Sequence, residues 1–353
     1  MKKKIVILSA FATPLRSGAE ACSEEVPAVL HDRYDFTIVT ARMRRHLPRK
    51  DVLPGGVCVL RVGLGCTFDK WLFPFLAPLA AARLRPDIVH AVLESFAGAA
   101  LILCRFIVPN AKRMLTCQST NTHFLVRSMH RSADAVTVIS STLRQRAHRF
   151  GRDDVTVIPN GLSLKDMHSA EKVPGRILFV GRHENMKGID TLLRAFAAVQ
   201  HPQAHLRLVG DGSQKGVYEK LAQELGLVER VKFVGFVPVP DVYQEFAEAE
   251  IFCGLSRSEA LGNVFLEAQA TGCAVIGTNV QGIPDSIHDG KNGILVEQDN
   301  VEQATRALNK LLGDASLRTA LAAAGMQNAA KYDWSRIGEK YAHVYDSLLA
   351  MAE

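Results

Sequence analysis

A chain of 353 residues exceeds what one hydrophobic core ordinarily organises, so its length predicts two domains. Hydrophobic residues make up 48% and charged residues 22%, the balance of a soluble globular enzyme, and the longest apolar runs, "FAGAALILC" and "WLFPFLAPLAAA", are shorter than a membrane span. The formal charge of +6 is uneven: residues 1–170 hold 24 Lys and Arg against 13 Asp and Glu, residues 171–353 hold 18 against 23, so the first half suits an anionic partner.

The amino terminus "MKKKIVILSAFATPLRSG" has the basic start of a signal peptide, but its apolar run is too short and lacks a small-residue cleavage site. "KIVILS" reads instead as a first buried strand. It is followed by "DFTIVT", "VCVLRV", "DIVHAV", "RMLTC" and "AVTVIS" in the first half, and by "RILFVG", "HLRLVG", "VKFVG", "IFCGL", "AVIG" and "GILVE" in the second. Segments of helical length, such as "GIDTLLRAFAAVQ" and "QKGVYEKLAQELG", lie between most of them. Apolar strands alternating with helices predict parallel sheets covered on both faces, and two successive sets predict two doubly wound domains. Pro, Asn, Gly and charges break the alternation near "IPNGLSLKDMHSAEKVPGR", which sets domains at 1–165 and 170–335 with a closing helix at 336–353. Gly313, Gly325 and Asp333–Trp334 read as breaks in the helical tail. The seven cysteines are scattered without a CxxC pair, which predicts buried free thiols in a reducing cytoplasm and neither disulfides nor a zinc site.

Two segments carry chemistry. In "ILFVGRHENMKGIDTLLRAF", a strand ends at Gly181, Arg182 leaves it, and Lys187 precedes a helix starting near Gly188. Two cations beside a helix amino terminus suit a diphosphate. In "SRSEALGNVFLEAQATG", Gly262 and Asn263 begin a helix that runs to about Thr271 and stops at Gly272. The amides of Leu261, Gly262 and Asn263 then face phosphate or sugar oxygens, and Glu267, a turn inside, reaches a ribose diol. Glu259, ahead of the helix, lies nearer a sugar. Each residue by itself also reads as a solvated or capping charge.

Gly-Arg-x4-Lys-Gly after one strand and Glu-x7-Glu around a later helix together resemble glycosyltransferase family 4, of GT-B fold. "SGAE", "PDIVHA", "ADAVTVISS", "VIPNGL", "LVGDG", "VKFVGFVP" and "YDWSRIGEKY" agree in order and spacing. The resemblance implies two Rossmann-like domains facing a central cleft, the first for the acceptor and the second for a UDP- or GDP-linked sugar. It implies that Arg182 and Lys187 neutralise the diphosphate as the sugar departs, that Glu267 takes the ribose, and that Glu259 takes a hydroxyl of the transferred sugar. By the same resemblance, backbone near Val237 meets the base, and Gly18 lets the first loop approach the diphosphate. It further implies transfer with retention of configuration and no enzyme nucleophile. No Asp-x-Asp is present, so neither a metal nor another cofactor is expected, and no nucleic acid is among the expected partners.

The chain departs from the family pattern in three places. Ser17-Gly18 stands for Gly-Gly, "EALG" for Glu-Gly-Phe-Gly, and "LTCQST" puts Gln118 where a histidine contacts the sugar, with His90 and His123 as nearby alternatives. Asn160-Gly161 matches the connector, Asp211 sits in a Gly-flanked turn, and Trp334 anchors the last helix. Competing readings are a dinucleotide oxidoreductase, whose third glycine is missing from "GLGCTF" and "GDGSQK", a nucleotide-sugar epimerase or hydrolase, and an inactive binding module. "ARMRRHLPRK", followed by Trp71, Phe73 and Phe75 beside Arg83 and Arg85, gives a last expectation, of peripheral contact with an anionic membrane and a glycan or lipid-linked acceptor. The alternative there is a helix packed on its own domain.

Overall fold

All twelve apolar runs form strands in the computed structural model, which describes residues 2–15, 18–53, 55–120, 124–168 and 170–351. Two compact units result, one of Met1–Gly161 with Trp334–Glu353, the other of Leu162–Asp333. These changes of unit come a few residues before the boundaries read from the sequence.

The first unit holds β1 (Lys3–Leu8), β2 (Tyr34–Ala41), β3 (Lys50–Leu53), β4 (Val57–Val62), β5 (Ile88–Val92), β6 (Lys112–Cys117), β7 (Ala135–Val138) and β8 (Val155–Val157). Their order is β3-β4-β2-β1-β5-β6-β7-β8, parallel except for β3, which pairs antiparallel with β4. Every residue of β5 is buried, as a strand covered on both faces requires. The final helix, Trp334–Ala350, puts Trp334, Ile337, Tyr341 and Tyr345 into the same core as Ile5, Ile38 and Ile88. A Cβ on Gly161 would lie 2.4 Å from the Trp334 indole, so glycine lets the ring lie on the connector.

The second unit holds β9 (Arg176–Val180), β10 (His205–Val209), β11 (Val231–Gly235), β12 (Ile251–Gly254), β13 (Ala274–Thr278) and β14 (Ile294–Val296), all parallel, in the order β11-β10-β9-β12-β13-β14. Strand order reverses between β9 and β12, and the carboxyl ends of such a pair frame the crevice where open parallel sheets take ligands.

Two expectations need correcting. Gly325 is no break: it lies inside the helix Ala315–Ala329, where a Cβ would come 3.0 Å from Gln269 Cγ, so it serves close packing. Phe73 is not exposed like Trp71 and Phe75 but fully buried, because it sits on the opposite face of the helix Asp69–Leu84. All seven cysteines are free, and five are buried, with Cys58 and Cys66 exposed. Among the described residues no helix is long and apolar enough to cross a membrane.

Candidate functional site

Both charged motifs lie on loops leaving the carboxyl ends of β9 and β12, the neighbouring strands at the sheet's reversal. Glycine brings the β9 and β10 ends together. The Gly181 N–H donates to Val209 O at 3.0 Å, and a Cβ on Gly210 would fall 2.0 Å from the Gly181 carbonyl oxygen. Arg182 then turns outward, exposed and without a side-chain hydrogen bond or close ion pair among the described residues, its charge felt by the Glu184 carboxylate. His183 turns inward between Phe179, Tyr218 and Phe233, and burial lowers its pKa, which leaves a neutral ring.

Lys187 closes a short 3-10 turn, Asn185–Lys187, and Gly188 at φ 64 leads into the helix Ile189–Ala197. A Cβ on Gly188 would lie 2.0 Å from the Leu255 carbonyl oxygen, so only glycine lets this turn press against the β12 loop. Arg257 binds the two loops together. Its N–H donates to Met186 O at 2.8 Å, and its guanidinium donates to Asn185 Oδ1 at 2.8 Å, Asp190 Oδ2 at 2.7 Å and Asp299 Oδ1 at 2.8 Å.

Across this junction Lys187 Nζ donates to Glu259 Oε2, an ion pair whose side chains are only 17% and 19% exposed. The Glu259 backbone is held separately: its N–H donates to Gln281 Oε1 at 2.9 Å, and its carbonyl accepts the Gly282 N–H at 3.1 Å. Gln281 occupies the left-handed region at φ 46, unusual for a non-glycine residue, and a Cβ on Gly282 would meet Ala260 O at 1.9 Å.

The helix Asn263–Ala270 begins after Gly262 at φ 82 and stops at Gly272 at φ 78, as the sequence predicts. The amides of Leu261, Gly262 and Asn263 have no acceptor among the described residues. Glu267 is half-buried with no side-chain partner there, and burial pushes its carboxyl up to about 7. The arrangement therefore offers two cations and free amides to an anion, with carboxylates at its edge for hydroxyl groups.

Arg182, Lys187, Glu259, Leu261, Gly262, Asn263 and Glu267 thus share two adjacent loops and one helix. Val237 lies farther out, half-buried in the loop after the edge strand β11, and Gly18 is exposed in a turn of the other unit. Ser17 and His123 lie outside the described residues. Asp211 serves its turn, its Oδ1 accepting the Gly212 N–H at 2.8 Å.

Gln118, which stands where the family has a histidine, is 4% exposed and its amide is committed, exchanging hydrogen bonds of 3.0 and 2.9 Å with the Asn160 amide and donating to Cys22 Sγ at 3.2 Å, which leaves it no free capacity for a sugar. His90 is structural, bonded to Tyr345 OH at 2.8 Å and Thr116 Oγ1 at 2.6 Å. The described residues hold one cluster of metal-capable groups, Glu94, Cys117 and His130. It belongs to the first unit, and its carboxylate is already ion-paired with Arg146. Arg257, Gln281 and Gly282 escaped the sequence reading. "SRSE" did offer a cation two residues from Glu259, but nothing local marked Gln281.

Comparison with known proteins adds to this geometry. Residues 16–166 match the family model described as Glycosyltransferase Family 4, and residues 165–328 match the one described as Glycosyl transferases group 1. The lipopolysaccharide core biosynthesis glycosyltransferase LpsE of Rhizobium meliloti is 30% identical over 267 residues, which cover 73% of this chain and 75% of that protein. A D-inositol 3-phosphate glycosyltransferase of Corynebacterium urealyticum is 33% identical over 184 residues, covering 50% of this chain and 43% of the relative. The enzyme of that name from Corynebacterium aurimucosum is 28% identical, covering 69% and 59%, so the chain spans about half the length of these two relatives. Among solved structures, sucrose-phosphate synthase from Thermosynechococcus elongatus has a TM-score of 0.88 at 21% identity, covering 99% of this chain and 100% of that one. Anabaena HepE in complex with UDP and glucose has a TM-score of 0.80 at 20% identity, covering 98% and 100%. The fold they share with this chain is GT-B, with its two Rossmann-like parallel sheets.

Proposed function

The chain belongs to glycosyltransferase family 4, and from that premise we propose that it moves a sugar from a UDP- or GDP-linked donor to a hydroxyl of a glycan or lipid-linked acceptor, with retention of configuration. The observation that carries this reading is the Lys187–Glu259 ion pair, formed where the loop after β9, which also carries Arg182, meets the loop after β12 beside the reversal of the second sheet. A nucleotide donor gives up its sugar by leaving negative charge on the diphosphate, and fixed cations in a partly desolvated site stabilise that charge most as it develops. Arg182 and Lys187 take this role, with the amides of Leu261, Gly262 and Asn263 supplementing them. Glu267 accepts hydrogen bonds from the ribose hydroxyls and Glu259 from a hydroxyl of the transferred sugar. Backbone near Val237 meets the base.

In the reaction proposed, the bond between the anomeric carbon and the phosphate oxygen breaks. The acceptor oxygen bonds to the same face of that carbon, and its proton passes to the departing phosphate oxygen. The protein supplies charge and orientation, and no side chain becomes covalently attached. With two cations on the diphosphate, the reaction proceeds without a metal.

Product analysis with UDP- and GDP-sugars over a panel of glycan and lipid-linked acceptors tests the reading, with Lys187→Ala as the control variant. That variant keeps its fold and loses about 10²–10³-fold in turnover, the scale of losing one transition-state donor. Equal turnover in Lys187→Ala would refute the site. Free or epimerised sugar formed without any acceptor would favour an epimerase or hydrolase.

A further inference from the structure

The helix Asp69–Leu84 is apolar on both faces. Its inner face buries Phe73, Ala77, Ala80 and Ala81 against the first unit. Its outer face carries Trp71, Phe75 and Leu79 at 56%, 63% and 46% exposure, and Leu64 and Phe68, at 68% and 58%, extend the ridge ahead of the helix. Residues 68, 71, 75 and 79 follow helical spacing, so the side chains form one stripe. The exposed surface is on the order of 500 Å², a size at which patches on soluble proteins mark contact sites.

The surroundings of this ridge are basic. The Arg45 backbone abuts Gly65, where a Cβ would come within 2.9 Å of it, and this sets Arg44 and Arg45 at one end. At the other end Arg83 Nη1 donates back to Leu79 O at 3.3 Å, with Arg85 just beyond. Lys70 lies 6.0 Å from the Trp71 ring, which meets Phe96 edge-on at 5.1 Å. The four acids of residues 42–96 are all engaged elsewhere: Asp51 with Arg61, Asp69 with the Leu64 and Gly65 amides, Asp87 with the Lys4 amide, and Glu94 with Arg146. Arg44, Arg45, Arg83 and Arg85 have no acidic partner among the described residues.

We propose that this ridge seats the first unit on an anionic lipid surface, with Trp71, Phe75 and Leu79 entering the acyl boundary and the arginines at both ends meeting headgroup phosphates. An aromatic stripe bracketed by unpaired cations has the chemistry of a helix lying in the interface, and at 16 residues the helix lies along a bilayer without crossing it. A second copy fits less well, since a two-fold contact through the ridge would bring like charges together. The inference is independent of the donor site, and it supplies a reason for a lipid-linked acceptor.

Tryptophan emission tests it directly, because the chain has two tryptophans and Trp334 is 5% exposed. Vesicles of phosphatidylcholine with about a third phosphatidylglycerol, at low salt, are expected to shift the emission to shorter wavelength and to co-sediment the protein. Trp71→Phe keeps co-sedimentation and loses the shift. The triple variant Trp71→Ser, Phe75→Ser, Leu79→Ser lowers partitioning at least tenfold. Arg83→Gln with Arg85→Gln lowers it about fivefold per charge and weakens its salt dependence. Thermal shift with a nucleoside diphosphate stays unchanged in all of them, which separates this proposal from the donor-site reading. Absence of vesicle binding at low salt would overturn it. So would equal binding by the serine variant, or a dimer in sedimentation equilibrium that the serine variant abolishes.

Discussion

Substituting Glu259 with Gln should move two measurements in opposite directions. The Lys187 ammonium is held by the Glu259 carboxylate, with both side chains more than four-fifths covered. A diphosphate that takes Lys187 as its cation displaces that carboxylate, so the existing pair opposes binding. Exposed pairs contribute up to about 1 kcal/mol, and breaking a buried one costs about 3–5, which puts this intermediate case at about 1–2 kcal/mol. Glu259→Gln therefore binds a bare nucleoside diphosphate roughly tenfold more tightly. Transfer from the nucleotide sugar falls meanwhile, because a charged hydrogen-bond acceptor for the sugar is lost. At about 1.5–3 kcal/mol for such a bond, less the roughly 1–2 kcal/mol regained by freeing Lys187 for the diphosphate, kcat/KM drops about threefold at the midpoints. The loop should persist, since Gln281 and Gly282 hold its backbone independently of the side chain. Titration calorimetry with UDP and GDP gives the first quantity and initial rates the second. Nucleoside diphosphate binding that is weakened or unchanged in Glu259→Gln would refute the exchange of partners at Lys187.

Glu267, an acid whose carboxyl is raised from 4.5 to about 7, costs stability that is absent below 4.5, grows as pH rises and levels off above 7. Glu267→Gln should accordingly stabilise the free protein in denaturant titrations at pH 8 and leave it unchanged at pH 4, while wild-type affinity for a nucleotide sugar falls as pH drops below about 7 because ribose hydroxyls favour the ionised carboxylate. Gly188→Ala, which forces a Cβ to 2.0 Å from Leu255 O at φ 64, should destabilise the fold by more than about 2 kcal/mol in urea, and a smaller loss would mean that the two loops can separate cheaply. Turnover should survive excess chelator, and loss restored by added divalent metal would replace the two-cation account with a metal-bridged diphosphate.

The architecture was legible because continuous apolar runs have one stable use in a chain this long. The two strands that went unread show where that reasoning stops. β3 (Lys50–Leu53) is a charged edge strand held by a hairpin at Gly55 and Gly56, and β8 (Val155–Val157) has three residues with only the first buried. Edge strands bury little, so their sequences carry little of the apolar signal. Phe73 failed for a related reason. The helix Asp69–Leu84 is apolar on both sides, and a run without polar residues gives no sign of which aromatic points inward.

At the candidate site, the legible residues are those whose spacing along the chain is itself the constraint. Arg182 and Lys187 must straddle one turn between a strand and a helix, and Glu259 and Glu267 must flank one helix start, so each pair leaves a local pattern. Gln281 leaves none. It supports the Glu259 N–H from 22 residues away, across the approach that Gly282 permits at Ala260. Gln118 shows the converse, a residue in the expected position whose surroundings decide against the expected use. Its amide and that of Asn160 satisfy each other inside the first unit, 42 residues apart, and a buried amide so paired would have to leave a partner unsatisfied to reach a sugar. Position along the chain can nominate a sugar contact, but the hydrogen-bonding capacity left over after folding decides whether it is one. By that criterion Glu259 must break the Lys187 pair to meet a sugar, whereas Glu267 keeps its capacity open for a ribose without displacing any partner.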